Sequence, residues 1–184
     1  MSILKIARIG HPVLHKEALT VKDFNDPEIK ILIRDMTDTM LDANGIGLAA
    51  PQVYCSKKIL IFCIPEDQEQ KKDNENNNEI KIMALINPKI TKTSKETNND
   101  WEGCLSIPGM LGLVKRFTKI TYEGFDLNGN LIKQEAQGLH ARIFQHEYDH
   151  LMGIVYTQRL TDMRAYGFAE EIDKFWKDKK DKHE

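Results

Sequence analysis

Residues 146–150 read His-Glu-Tyr-Asp-His. On a helix, at ~100° per residue, His146 and His150 lie one turn apart on one face, so both imidazoles can reach one ion. Glu147 stands beside them, close enough to handle a proton on a water that such an ion activates. Two histidines do not complete a site, and a third protein ligand is required. Glu170 follows His150 by 20 residues, a separation that some zinc proteases use. Cys104, in Glu102-Gly103-Cys104-Leu105-Ser106, offers a soft thiolate, and the glycine before it allows close backbone approach. Cys55 and Cys63, in or beside a strand-like run, read as inert buried thiols.

A second segment is Gly45-Ile46-Gly47-Leu48-Ala49-Ala50-Pro51-Gln52. Its GxG is no dinucleotide fingerprint, which follows a strand and opens a helix, whereas this one closes a helix and runs into Pro51. A capping turn packed on the core explains the glycine and alanines, but not Gln52 at the end of so apolar a run. An amide held in an apolar cleft can donate to a developing oxyanion.

These residues need elements to position them. Asp26 followed by Pro27 opens a helix whose Ile29, Leu32, Ile33, Met36 and Met40 form one buried stripe, with Asn44 and Gly45 as its stop. Strand-like runs at 58–64 and 80–86 flank residues 66–79, EDQEQKKDNENNNE, which hold no hydrophobic side chain and read as a polar loop inserted between two strands of one sheet. Residues 117–137 return to strands with Asn128-Gly129 at the hairpin turn. A helix from about Leu139 to Met152 carries the HExxH residues, with Leu139 and Ile143 extending its metal-facing, core-facing side upstream. The last helix is expected over about 161–177, with Tyr166, Ala169, Ile172, Phe175 and Trp176 on one side and a solvated lysine-rich end. The sum is α+β: one catalytic domain over 1–184, antiparallel or mixed sheets against a few helices.

Composition removes other classes. The chain has 184 residues, with 26 Lys and Arg against 28 Asp and Glu, so no basic field favours a nucleic-acid reader. Hydrophobic residues make up 41%, which a globular core needs. The longest apolar run, 59–64, is far below the roughly 20 residues of a bilayer span. Three cysteines are too few for a disulfide framework, and MSILKIAR has no apolar signal core. The expectation is a cytoplasmic protein of bacterial type, with a processed organellar chain as the alternative.

GIGLAAPQ, EGCLS and HEYDH, in that order, resemble the three motifs of the peptide deformylase family, GxGxAAxQ, EGCLS and HExDH. The flanking GLHARIFQHEYDHLMG and the early IARIGHPVLHKEA are also similar, so the resemblance spans about 2–160. It implies the small α+β deformylase fold, with the HExDH helix among antiparallel strands. It implies Cys104, His146 and His150 as metal ligands and Glu147 as general acid/base. Gln52 and the Leu105 backbone N–H would form an oxyanion hole, and Gly47 would pair its backbone with the substrate. The activity implied is removal of the formyl group from the formyl-methionine of nascent polypeptides, with Fe(II) first and Zn(II), Ni(II) or Co(II) as substitutes. The methionine slot would draw on Ile46, Leu139 and Ile143, each equally explicable as core. Some relatives also contact the ribosome, and the run of terminal lysines suggests a transient contact of that kind here, with a solvated tail as the alternative.

The sequence departs from the family at Leu111, where many relatives carry an arginine near the substrate mouth, and this points to a more apolar rim. Arg116 matches a frequent family arginine, and a pairing with Glu102 is one reading of it. Two other functions compete for the same residues. A zinc endopeptidase would use Glu170 as third ligand, although AYGFAEEIDKF reads better as the polar side of an amphipathic helix. A structural metal module would close with a fourth protein ligand, which no Cys or His obviously supplies.

Overall fold

The computed structural model describes residues 2–63 and 81–177. Helix α1 (Pro27–Asp42) begins where Asp26 accepts the Glu28 N–H on its side chain at 2.9 Å, and it ends as Asn44 turns left-handed at φ 52°. Strands β1 (Gly47–Ala49), β2 (Ile59–Cys63), β3 (Ile82–Thr93), β4 (Thr97–Cys104), β5 (Ile107–Phe117), β6 (Lys119–Phe125) and β7 (Leu131–Gln137) follow. Helix α2 (Gly138–Leu151), strand β8 (Tyr166–Phe168) and the short helix α3 (Ala169–Ile172) complete the order, and a π-helical turn, Asp173–Lys177, extends α3.

All sheet pairs are antiparallel. One sheet runs β1-β2-β3-β6-β7 and the other β4-β5-β8. The apolar run in β2 is explained by burial on both faces. Leu60 and Phe62 join Ile143 and Phe144 of α2 in one core, while Ile59 and Ile61 join Ile29, Ile33, Met36 and Met40 of α1 in another. The first sheet is thus held between the two long helices, the HExxH residues riding on the inner one.

Both long helices match the sequence expectation within a residue or two. The hairpin turn does too: the Asp126 side chain accepts the N–H groups of Asn128 and Asn130, and Gly129 takes φ 78°. The segment 66–79 lies outside the described residues, but its flanking strands β2 and β3 do pair with each other. The expected helix over 161–177 is corrected. Tyr166–Phe168 extend as a strand along Gly112–Met110 of β5, and helix begins only at Ala169. An open β5 edge outbids helical periodicity here, and Gly167 is a poor helix residue.

α2 is followed by Gly153 at φ 72°; a Cβ there would sit 2.8–2.9 Å from the backbone of His15 and Lys16, so the helix exit lies directly against the N-terminal segment.

Candidate functional site

Cys104 stands at the tip of the β4–β5 hairpin, paired with Ile107 across a two-residue turn made by Leu105 and Ser106. The hairpin brings its thiol to the face of α2 that bears His146 and His150. One donor atom from each of the three lies within 4.8 Å of the others, and Cys104 Sγ is 3.2 Å from His150 Nε2. The Ser106 N–H and the Gln52 side-chain amide both donate to Cys104 Sγ, at 3.4 and 3.5 Å.

His146 is oriented from behind. Its Nδ1 lies 2.9 Å from Glu102 Oε2, which leaves Nε2 as the ring nitrogen able to ligate. Glu102 also receives Arg116 on both oxygens, at 3.0 and 2.9 Å, and Arg142 at 2.6 Å. Arg116 continues to Asp149, which Arg159 grips with two further bonds. Burial alone would raise the Glu102 pKa, but His146 and Arg116 outweigh it and hold the carboxyl well below its usual range. The pairing of Arg116 with Glu102 follows the sequence reading. Arg142 and Asp149 were not singled out there, although Arg142 lies four residues before His146 and so shares its helix face.

Burial pushes the His150 pKa well below its ordinary value, with the positive groups His146 and Arg116 adding to it, so this ring is neutral and fit to ligate. Burial disfavours the charged form of His146, yet Cys104 and Glu102 overcome it and raise that pKa. Glu147 is pushed up to about 7, chiefly by burial, with the Glu102 charge also raising it. Among the described residues, Glu147 Oε2 and His150 Nδ1 are buried without a hydrogen-bond partner. A thiolate, two imidazoles and an unpartnered carboxylate oxygen fit a divalent ion that accepts sulfur and nitrogen, such as Fe(II), Zn(II), Ni(II) or Co(II), rather than Mg²⁺ or Ca²⁺.

Gln52 is buried and fixed at both ends. Its Oε1 accepts the Ala49 N–H at 2.9 Å, and its amide nitrogen donates to Ser106 Oγ at 3.1 Å as well as to the thiol. Gly47 has a role beyond the one its motif implied. A Cβ there would collide with the Glu147 carboxylate, with Cγ and Cδ at 2.8 Å, so the missing side chain is where the catalytic candidate sits. At Gly45 a Cβ would fall 2.8 Å from Leu105 Cδ1, which binds the end of α1 closely to the hairpin tip.

These groups open onto a cleft of about 700 Å³, lined by Ile46, Gly47, Gln52, Cys104, Leu105, Leu139, Ile143, His146 and Glu147 among others. Ile143 is buried, whereas Ile46 and Leu139 are more than half exposed at the mouth and so are not core residues. Leu139 was expected on the core-facing side; its position in the first turn of α2 puts it in the open cleft instead. Leu111 and Trp101 make the rim apolar, as the sequence suggests. Glu170 is exposed on α3 and outside the donor group, which removes the observation that favoured an endopeptidase. Burial raises the thiol pKa of both Cys55 and Cys63, in keeping with inert packing.

The family model described as Polypeptide deformylase matches residues 3–166. Peptide deformylase 1 of Nitrosomonas europaea is 42% identical over 170 residues, covering 92% of this chain and 94% of the relative. Peptide deformylase 1 of Bordetella pertussis is 41% identical, covering 91% of this chain and 93% of the relative. Among solved structures, peptide deformylase from Thermotoga maritima superposes with a TM-score of 0.76 at 34% identity, over 88% of this chain and 100% of that one. The Met-Ala-Ser-bound class I type b enzyme from Acinetobacter baumannii gives 0.77 at 35% identity, over 87% and 100%.

Proposed function

The chain belongs to the polypeptide deformylase family, whose activity is hydrolysis of the N-formyl group from the terminal formyl-methionine of new polypeptides, and from that premise we propose how its own residues carry the reaction. The observation that carries the proposal is the Cys104, His146 and His150 donor group, within 4.8 Å, opening on the cleft where Glu147 is buried. These three residues hold one divalent ion, Fe(II) in the cell, with Zn(II), Ni(II) or Co(II) able to substitute. When bound, such an ion supplies Lewis-acid chemistry, lowering the pKa of water and polarising a carbonyl oxygen.

Glu147 takes the proton from water as it attacks the formyl carbon and later delivers it to the departing amine, releasing formate. A pKa near 7 suits a group that must accept and then give a proton at neutral pH. The Gln52 amide and the Leu105 N–H donate to the formyl oxygen as negative charge develops on it. Glu102 keeps His146 in its ligating tautomer.

The peptide runs along β1, an edge strand, and pairs with the backbone of Gly47. Ile46, Leu139 and Ile143, which line the cleft, receive the methionine side chain; the Acinetobacter baumannii enzyme binds a Met-Ala-Ser peptide. The partners are nascent formylated chains in the cytoplasm, and one domain does the whole reaction. No helix among the described residues is long and apolar enough to cross a membrane. Any ribosome contact by the terminal lysines falls largely on 178–184, outside the described residues.

The test is formate release from formyl-Met-Ala-Ser by protein purified anaerobically with iron. Formate is expected, lost on chelation and restored by Fe(II) or Ni(II). No formate from folded, fully metallated protein would overturn the reading, and Cys104→Ser that kept its metal would remove Cys104 from the ligand set.

A further inference from the structure

The reaction uses the inner half of the cleft, but the cavity continues outward to Trp101, Leu111 and Ala169. The strand register puts the first two on one surface. Trp101 pairs with Leu113, and Leu111, two residues along β5, shares that face; the register shifts between Glu102 and Cys104, where Gly103 lies against Leu111. Gly167 of β8 lies opposite Leu111 on the other side.

Gly103 is the tight position on this face. A Cβ on Gly103 would stand 3.2 Å from Leu111 Cδ2, and one on Gly167 would stand 3.7 Å from Ile172 Cδ1. The chain then folds back over the same face: Ile172 is buried, and the following turn brings Trp176 edge-on to Trp101 with ring centroids 6.2 Å apart. Trp176 stays 41% exposed, so its contact with Trp101 is not an incidental part of a filled core. Of the charged groups lining the cleft, Glu102 and Arg142 bond each other, and the remaining ones are the HExDH residues His146 and Glu147. A polar side chain entering the outer half therefore meets no free charged partner among the described residues.

Resting on the deformylase reading of this cleft, we propose that Trp101 and Leu111, with Trp176 as the residue that positions Trp101, form an apolar subsite selecting the residues that follow formyl-methionine. An extended peptide advances ~3.3 Å per residue, so the next residues leave the methionine slot within the same continuous cavity. The site favours an apolar side chain over a polar one of equal size at the second or third position.

Steady-state formate release compares formyl-Met-Leu-Ala with formyl-Met-Asn-Ala, and formyl-Met-Ala-Leu with formyl-Met-Ala-Asn, with formyl-Met-Ala-Ser as reference. The wild type is expected to prefer leucine about tenfold in kcat/KM at one of the two positions. Trp176→Ala should cut that preference at least about fivefold by raising KM for the leucine peptide alone, with kcat unchanged. Leu111→Arg, at a rim position that tolerates a long side chain, should lower the same ratio. A wild-type ratio near one at both positions, a ratio unaltered in the folded variants, or a KM rise shared equally by leucine and asparagine peptides would overturn the subsite. Absence of formate from the reference peptide would instead overturn the deformylase reading.

Discussion

Glu102 on the floor of the cleft is 6% exposed and is bonded by three side chains, Arg116, Arg142 and His146. Leu139, seven residues before His146 on the same α2, is 55% exposed and lines the mouth without any such fixing partner. Around Glu102 the floor is overdetermined: Glu102, Arg116, Arg142 and Asp149 pin one another, which offsets their desolvation, and Glu147 Oε2 alone is left without a partner among the carboxylate oxygens there. The mouth is held by apolar contact and glycine-made space. On the proposed function, chemistry that depends on sub-ångström placement sits on the first kind of support, and recognition of varied peptide chains sits on the second.

Breaking the floor should therefore cost far more than altering the mouth. Glu147→Ala is expected to lower kcat by about 10²–10⁴ while metal content, measured by elemental analysis, stays at one ion per chain. Full activity in that variant would end the proton-transfer role. Gln52→Leu should cost about 10²–10³ in kcat with little change in KM, and unchanged kinetics would reduce Gln52 to a packing residue.

Glu102→Gln should weaken metal affinity about 10–100-fold in a chelator competition, because His146 loses the carboxylate that orients it. The same substitution reports on acid stability. With its folded pKa held below the ordinary 4.5, Glu102 contributes stability that is full above that value and lost as pH falls through the folded one. The variant's stability below about pH 4.5 should consequently fall less steeply with acid than the wild type's. At the mouth, Leu139→Ser should raise KM for formyl-Met peptides within about tenfold and leave kcat alone. A kcat loss there as large as that of Gln52→Leu would erase the distinction between the two regions.

Much of the floor was legible because its chemistry is written in local spacing. His146 and His150 share a helix face by number alone, and Asp26-Pro27 and Gly153 mark helix ends by backbone rules. The three motifs named the remaining groups. The strand segments 89–93 and 97–100 were not legible as such, since most of their residues are exposed and nothing alternates; ladder hydrogen bonds rather than a buried face sustain them. Tyr166, Ala169, Ile172, Phe175 and Trp176 do repeat at helical spacing, yet Phe175 and Trp176 are largely exposed and Tyr166 is a strand residue. A partner strand supplied by β5, 56 positions away at Leu111–Gly167, decided that segment, and no local pattern encodes such a pairing. Asp149 was visible inside HEYDH but mute, because its meaning lies in Arg116 and Arg159, which the fold alone brings to it.

The space at Gly47 ties two distant positions into one unit of inheritance. Any side chain at 47 must displace the carboxylate at 147. A lineage that remodels this strand has to alter both residues together or keep the glycine.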